Sequence, residues 1–233
     1  MIAEVLIATV LVPALFTAVL LFAGRWPVRR DETLPGWGSL VAVGAAYAAS
    51  YLAALGRPPF PPVTASEWIL YGSLGALIAA ALQRVWPASP WARWLPRVVL
   101  VGALIPWIVR PLMQYTWTPA QSALGIAGGV LAWLVFWGFF DLGTRSERRH
   151  GWWPLLLAVI AGGASVALGL SGSAKYGQLG GAIAAAAGVW WLLSLVWEPA
   201  RAGSGSGAIP AFLLGGLCAA GHLFAEMPLS RVA

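Results

Sequence analysis

Residues 161–188 constrain the fold of this chain most strongly, because nearly all of them are small and only Lys175 is charged. A small residue stands at every fourth position from Ala161 to Ala185. In water this would be a poor helix, since glycine weakens helices and small side chains bury little surface. In a bilayer the same pattern lets helices approach closely. The residues expected in this helix contact are Gly169, Ser173, Gly177 and Gly181.

The composition places the whole chain in a membrane. Of 233 residues, 60% are hydrophobic and 9% are charged, whereas soluble domains have about 25% charged residues. The formal net charge of +6 does not indicate nucleic acid binding, because the basic residues fall between the apolar runs and form no stripe. We therefore predict an all-α, polytopic transmembrane bundle, residues 1–233 in one domain, in a plasma or inner membrane.

Eight apolar runs have about the length needed to cross a bilayer, which takes about 20 residues. They are, approximately, residues 2–23, 37–55, 66–85, 98–115, 119–142, 152–170, 176–197 and 208–224. The first run has no Lys or Arg before it, so it is predicted to be a span and not a cleaved signal peptide. Pro13 predicts a kink, and Ser66 is predicted to cap the third span. The residues SGS at 171–173 are predicted to form a turn, because one helix through both flanking runs would be about 70 Å long.

The basic residues predict an orientation for this bundle. Ten of them lie in the odd-numbered loops. The other four lie in the even-numbered loops and the C-terminal tail, and they are Arg57, Arg110, Lys175 and Arg231. Because loops rich in Lys and Arg stay in the cytoplasm, both termini are predicted to lie on the opposite side.

The chain is tryptophan-rich, with fifteen tryptophans, and many stand where a span meets a loop. This pattern is typical of an interfacial aromatic belt. The alternative is an aromatic site for a cation, a pigment or a sterol-like ligand, with Trp133 and Trp137 on one face of the fifth span. The predicted belt residues are Trp26, Trp37, Trp68, Trp86, Trp91, Trp94, Trp117, Trp152, Trp153 and Trp197.

Charged residues within or beside spans are candidates for a binding site, because each is costly in hydrocarbon. In the predicted topology several of them, together with a histidine, fall toward one side of the membrane and could line a polar vestibule. These candidates are Glu67, Arg110, Lys175, His222 and Glu226. The alternative is that each side chain extends separately to the lipid headgroups. At the opposite side, Asp141 is expected to pair with Arg145 or Arg148.

The eighth span has the spacing of a weak metal-site candidate, because Cys218, His222 and Glu226 follow one another at intervals of four. The alternative is that these side chains pack against neighbouring helices. The sequence lacks HExxH, GxSxG and Walker motifs, so it indicates no catalytic residues, and it identifies no cofactor.

Two classes of function fit these observations best. The first is an accessory or structural subunit of a membrane complex, whose partners are the lipid bilayer and other membrane protein subunits. The second is a small-molecule transporter or permease that uses the polar vestibule as its entrance, and an intramembrane enzyme is third.

Overall fold

The computed structural model describes residues 2–23, 37–85, 90–146, 152–197 and 206–225, and every regular element within these ranges is helical. The helices are α1 (Ile2–Leu6), a π-helical turn (Ile7–Leu11), α2 (Val12–Ala23), α3 (Trp37–Leu55), α4 (Ala65–Val85), α5 (Pro90–Ile108), α6 (Arg110–Tyr115), α7 (Pro119–Ser146), α8 (Trp152–Leu170), α9 (Ala174–Val196) and α10 (Ala208–Ala225). The predicted all-helical fold is therefore confirmed for the described residues.

Five described segments are long and apolar enough to cross a membrane, namely Ala3–Ala23, Gly38–Leu55, Pro119–Thr144, Trp152–Leu170 and Ala174–Val196. Three shorter apolar helices, Ala65–Ala80, Trp94–Ile108 and Ala208–Phe224, coincide with the remaining predicted runs. The chain is thus a membrane protein by the length and composition of its helices. Eight as the number of spans stays a prediction.

Two helix boundaries differ from the sequence prediction. Helix α5 begins at Pro90 and contains both Pro96 and Pro106, whereas the fourth span was predicted to begin near residue 98. This span was also predicted to continue to residue 115, but the helix breaks at Val109 and α6 starts with Arg110 and Pro111. A proline is tolerated in the first turn of a helix, where its missing N–H has no helical partner to lose, so the break falls just before Pro111.

The first helix is interrupted by the π-helical turn Ile7–Leu11, just before the predicted kink at Pro13. Proline has no N–H to donate to the carbonyl four residues earlier, here that of Thr9, and its ring crowds that carbonyl. A π-helical turn widens the backbone locally and relieves this crowding.

The centre of the bundle is formed by α9 and α10. Helix α9 packs against α2, α3, α8 and α10, while α10 packs against α3, α4, α7, α8 and α9. Residues 206–214 are all buried. The sequence predicted the second, sixth and seventh spans at the centre, and α10 is the element that this prediction omitted.

Consecutive long helices of the chain run in opposite directions, so the bundle has two ends. Ser50, near the end of α3, donates a hydrogen bond of 2.7 Å to the carbonyl of Ala8. Helix α10 runs antiparallel to α4, since Phe212 lies beside Gly72 and Gly216 lies beside Ile69. We call the end that contains the start of α4, α6, the start of α9 and the end of α10 the Glu67 end. The opposite end, with the start of α5 and the end of α7, is the Arg97 end.

Candidate functional site

The structure places four of the five predicted binding residues at the Glu67 end. Glu67 is in the first turn of α4, Arg110 begins α6, Lys175 is in the first turn of α9 and His222 is in the last turn of α10. Glu226 lies outside the described residues. Of these, Glu67 and Lys175 come near enough to act on each other electrostatically.

Glu67 is buried, and its side chain helps to cap the N-terminus of α4. Its Oε2 accepts hydrogen bonds from the backbone N–H groups of Val63 and Thr64, at 2.6 Å and 3.0 Å. Because α4 begins at Ala65, Thr64 occupies the N-cap position and Glu67 is the residue whose side chain reaches back to it, as in a capping box. The prediction that Ser66 caps this helix is therefore wrong by two residues.

Four of the five tyrosines of the chain interact electrostatically around Tyr51, and we call them the tyrosine cluster: Tyr47, Tyr51, Tyr71 and Tyr176. Tyr51 makes a side-chain hydrogen bond with Ser66 and acts electrostatically on Glu67. The Tyr71 hydroxyl donates to the carbonyl of Pro59 at 3.4 Å. The sequence analysis missed this cluster, although the four-residue spacing of Tyr47 and Tyr51 on one helix was a usable signal.

Tyr47 is the most deeply placed member of the cluster. Its side chain is 0% exposed, and within the described part of the chain its hydroxyl has no hydrogen-bond partner. A buried hydroxyl without a partner costs about 1–3 kcal/mol. The hydroxyl interacts electrostatically with those of Tyr51 and Tyr176.

Arg110 is exposed, and its guanidinium group packs against a tryptophan ring. Its Cζ lies 5.4 Å from the ring centroid of Trp107, and the Trp107 ring stacks on that of Trp68 at 5.0 Å. This contact is a cation–π interaction at the bundle surface. Arg110 is therefore positioned beside α4 through aromatic rings, next to the Glu67 end but apart from the Glu67 carboxylate.

The metal-site candidates on α10 are also exposed. Cys218 and His222 both lie on the outer surface of this otherwise buried helix. Among the described residues, no group of three His, Cys, Asp or Glu side chains is placed to hold a metal ion. The third candidate, Glu226, is beyond the described range.

At the Arg97 end, Asp141 of α7 forms a buried ion pair with Arg97 of α5, with Nη1 and Oδ2 2.6 Å apart. The sequence pointed to Arg145 or Arg148 as the partner, and the side chains of both lie outside the described part of the structure. Arg97 was assigned to an interfacial loop, whereas α5 begins early enough to carry it into the bundle. The described partner of Asp141 is thus a residue that the sequence analysis did not consider.

Arg97 also lies beside Trp137, one of the two tryptophans of the aromatic site that the sequence suggested for a cation. Its Cζ lies 5.2 Å from the ring centroid of Trp94 and 5.2 Å from that of Trp137. Trp133 packs on Phe212, with ring centroids 5.1 Å apart. The cation next to Trp137 is therefore supplied by the protein itself.

The tryptophans divide between the surface and the core. Trp152 and Trp107 are 64% and 48% exposed, whereas Trp153, predicted to belong to the belt, is 3% exposed and packs edge-on against Phe140. Trp137 and Trp190 are fully buried. The side chains of Trp26, Trp37, Trp86 and Trp91 lie outside the described residues. The belt is thus only part of the role of tryptophan here.

Part of the small-residue stretch 161–188 lies where α8 and α9 face each other, whereas Gly163 is exposed. Ser165 donates a hydrogen bond of 2.6 Å to the carbonyl of Gly177, and a Cβ on Gly177 would lie 3.1 Å from the Cα of Gly169. Gly180, which does not belong to the four-residue series, approaches Ser165 about as closely.

Ser173 has a different role, because its side chain accepts from the N–H of Tyr176 and caps α9. The turn at 171–172 contains Gly172 with φ +94°, a conformation that favours glycine.

A groove of about 470 Å³ lies between α6 and the start of α7. It is open and mostly apolar, and it is lined by Met113, Trp117, Pro119, Ser122, Ala123 and Ile126.

No family model, curated protein or solved structure matches this chain. The function is therefore argued from the residues and their geometry alone.

Proposed function

We propose that this membrane protein is an accessory or structural subunit of a membrane complex, and that α7 carries its contact with a transmembrane helix of a different protein. Helix α7 has 28 residues, the longest of the described helices. It packs mainly against α5, α6 and α10, so one side stays open along its whole length. The open side carries five small residues, Ala120, Ala123, Ala127, Gly128 and Ala132, interspersed with the exposed large side chains of Leu124, Leu131, Val135 and Phe139.

The exposed small residues on this open side of α7, around Gly128, are the observation that carries the proposal. Lipid chains adapt to any apolar surface, whereas close approach of two helix backbones requires small side chains at the contact. A Cβ added at Gly128 would meet nothing within 4 Å, so the space beside it is open. The groove between α6 and α7 extends this face at the Glu67 end, because Ala123 belongs to both.

The test is a matched pair of glycine substitutions. Gly128 on α7 and Gly163 on α8 are both exposed glycines whose added side chain would meet nothing within 4 Å. We expect Gly128→Leu to release the chain from its complex, because the leucine fills the space that the partner backbone occupies. Gly163→Leu adds the same apolar bulk to another lipid-facing surface and should leave the complex intact.

The measurement is the size of the complex after extraction of the native membrane in a mild detergent, with two differently tagged copies expressed together. A complex larger than the chain that contains one tag only, and that Gly128→Leu alone disrupts, supports the proposal. A solitary chain, a complex with both tags, or equal behaviour of the two variants would contradict it.

A small-molecule transporter is the second candidate, favoured by the opposite charges of Glu67 and Lys175 at one end of the bundle. Transporters place their substrate near the membrane midplane. In the middle of this bundle Trp133 and Phe212 are buried and packed together, which supports the subunit over the transporter. Neutralising Lys175 and Arg110 distinguishes the two, since a transporter should lose flux and a subunit should at most lose assembly.

A further inference from the structure

The segment between α3 and α4, residues 56–64, lies back against the start of α4. The ring of Phe60 packs edge-on against that of Tyr71, with centroids 5.9 Å apart, and the Tyr71 hydroxyl donates to the carbonyl of Pro59 at 3.4 Å. Because α4 begins at Ala65, Tyr71 lies about 9 Å further along the helix axis. The middle of the segment is therefore beside the first two turns of α4.

The side of α4 that carries Tyr71 is the side that faces lipid. Leu74 and Ile78 follow Tyr71 three and seven residues later, so the three side chains share one side of the helix. Leu74 and Ile78 are exposed, and large apolar side chains on the outer surface of a membrane protein face lipid. Phe60 packs on this same side and is 84% exposed. Its ring is thus continuous with a lipid-facing surface.

The backbone of segment 56–64 has few free N–H donors. Four of its residues are prolines, which have no N–H, and three more residues donate their N–H to groups of the protein itself. The prolines are Pro58, Pro59, Pro61 and Pro62, and the three donors are Gly56, Val63 and Thr64. In this part of the described structure, only the N–H groups of Arg57 and Phe60 remain. Because free backbone donors are what make irregular backbone costly in lipid, this segment can enter the headgroup layer at low cost.

We propose that segment 56–64 is an interfacial anchor, which inserts the ring of Phe60 into the lipid bilayer at the boundary between headgroups and hydrocarbon. Lipid covers this ring because the ring extends the lipid-facing side of α4. The neighbouring helix ends also carry groups typical of the headgroup level: Trp68 of α4 stacks on Trp107, and Trp107 contacts Arg110. The anchor is independent of the α7 contact proposed above.

The experiment places a nitroxide label on single cysteines of the full chain, in a Cys218→Ser background and in vesicles of phosphatidylcholine and phosphatidylglycerol. Collision of the label with oxygen, which concentrates in hydrocarbon, is compared with collision with a nickel chelate, which stays in water. Ile78→Cys and Arg57→Cys are the references for lipid and for water. We expect the oxygen-to-nickel ratio at Phe60→Cys to lie between the two references and to be severalfold higher than at Arg57→Cys.

A label at Val63→Cys is a second measurement, which keeps the Phe60 ring in place. The side chain of Val63 is exposed, and Glu67 binds only its backbone N–H, so the cysteine leaves the start of α4 intact. In this labelled chain, Phe60→Glu should raise collision with the nickel chelate, because a charge is costly at the hydrocarbon boundary and the segment moves toward water. Phe60→Leu keeps an apolar side chain and should leave the collision rate unchanged.

Three results would overturn the proposal. An oxygen-to-nickel ratio at Phe60→Cys equal to that at Arg57→Cys would place the segment in water. Low collision of the Phe60→Cys label with both reagents would mean that protein, such as a second copy of the chain, covers the segment. Equal effects of Phe60→Glu and Phe60→Leu on the Val63→Cys label would mean that the side chain at position 60 does not hold the segment in the membrane.

Discussion

Nη1 of Arg97 lies 2.6 Å from Oδ2 of Asp141, and their side chains are 3% and 11% exposed. Removing either partner takes the described counter-charge away from a buried ionised group. We therefore expect Arg97→Met and Asp141→Leu each to lower the free energy of unfolding by about 3–5 kcal/mol. Unfolding in mixed detergent micelles, followed by tryptophan fluorescence, measures this loss.

The double variant Arg97→Met with Asp141→Leu is the sharper test of this ion pair. It buries no charge, so it should be more stable than either single variant. Arg110→Met, at an exposed site, is the control and should change stability by less than about 1 kcal/mol. A double variant as unstable as the sum of the single ones would show that the pair is not coupled.

The α8–α9 contact predicts opposite effects for two glycines. A Cβ on Gly177 would lie 3.0 Å from the carbonyl oxygen of Ser165, a backbone atom that has little freedom to move. Gly177→Ala should therefore destabilise the protein by about 1–3 kcal/mol. Gly163→Ala meets nothing within 4 Å and should be neutral or stabilising by up to about 1 kcal/mol. Equal effects of the two changes would exclude the close contact.

The hydrogen bonds that Glu67 accepts predict that two substitutions at this position differ in their effect on stability. Glu67→Ala removes the acceptor for Val63 and Thr64 and should cost about 0.5–2 kcal/mol. Glu67→Gln keeps an acceptor oxygen and should cost clearly less. Thermal unfolding measures both, and an equal loss in the two variants would mean that the charge of Glu67 and not its acceptor oxygen stabilises α4.

The predicted orientation can be tested with single cysteines, because Cys218 is the only cysteine of the chain. In a Cys218→Ser background, Arg57→Cys lies on the exposed segment between α3 and α4. A membrane-impermeant maleimide should label Arg57→Cys in sealed spheroplasts, whereas Arg148→Cys should react only after permeabilisation. The reverse pattern would make the predicted topology wrong.

The helices were largely predictable because a membrane imposes one pattern on every span. Apolar runs alone gave α3 at Trp37–Leu55 and α8 at Trp152–Leu170, with the bounds that the structure has. The start of α5 was missed, since tryptophan, arginine and proline at its first turns resemble an interfacial loop. The N-cap at Thr64 was missed because Ser66, two residues later, also has a hydroxyl side chain that can cap a helix.

Contacts between helices were much less predictable than the helices themselves. The pairing of Arg97 with Asp141 depends on which faces of α5 and α7 meet, and the sequence carries no signal for that. Tyr176 joins Tyr47 and Tyr51 only because α9 packs on α3. The candidate site was therefore half predictable: its charges Glu67 and Lys175 stood out, whereas the tyrosines around them required the fold.

The ion pair between α5 and α7 also has a consequence for biogenesis. Asp141 leaves the ribosome only after the whole of α5, α6 and most of α7, so α5 is complete before Arg97 can meet this partner. Until then the arginine can reach the headgroups from the first turns of α5, as long basic side chains do. We therefore expect full insertion of α5 to wait for α7, so that the two helices reach their final depth together.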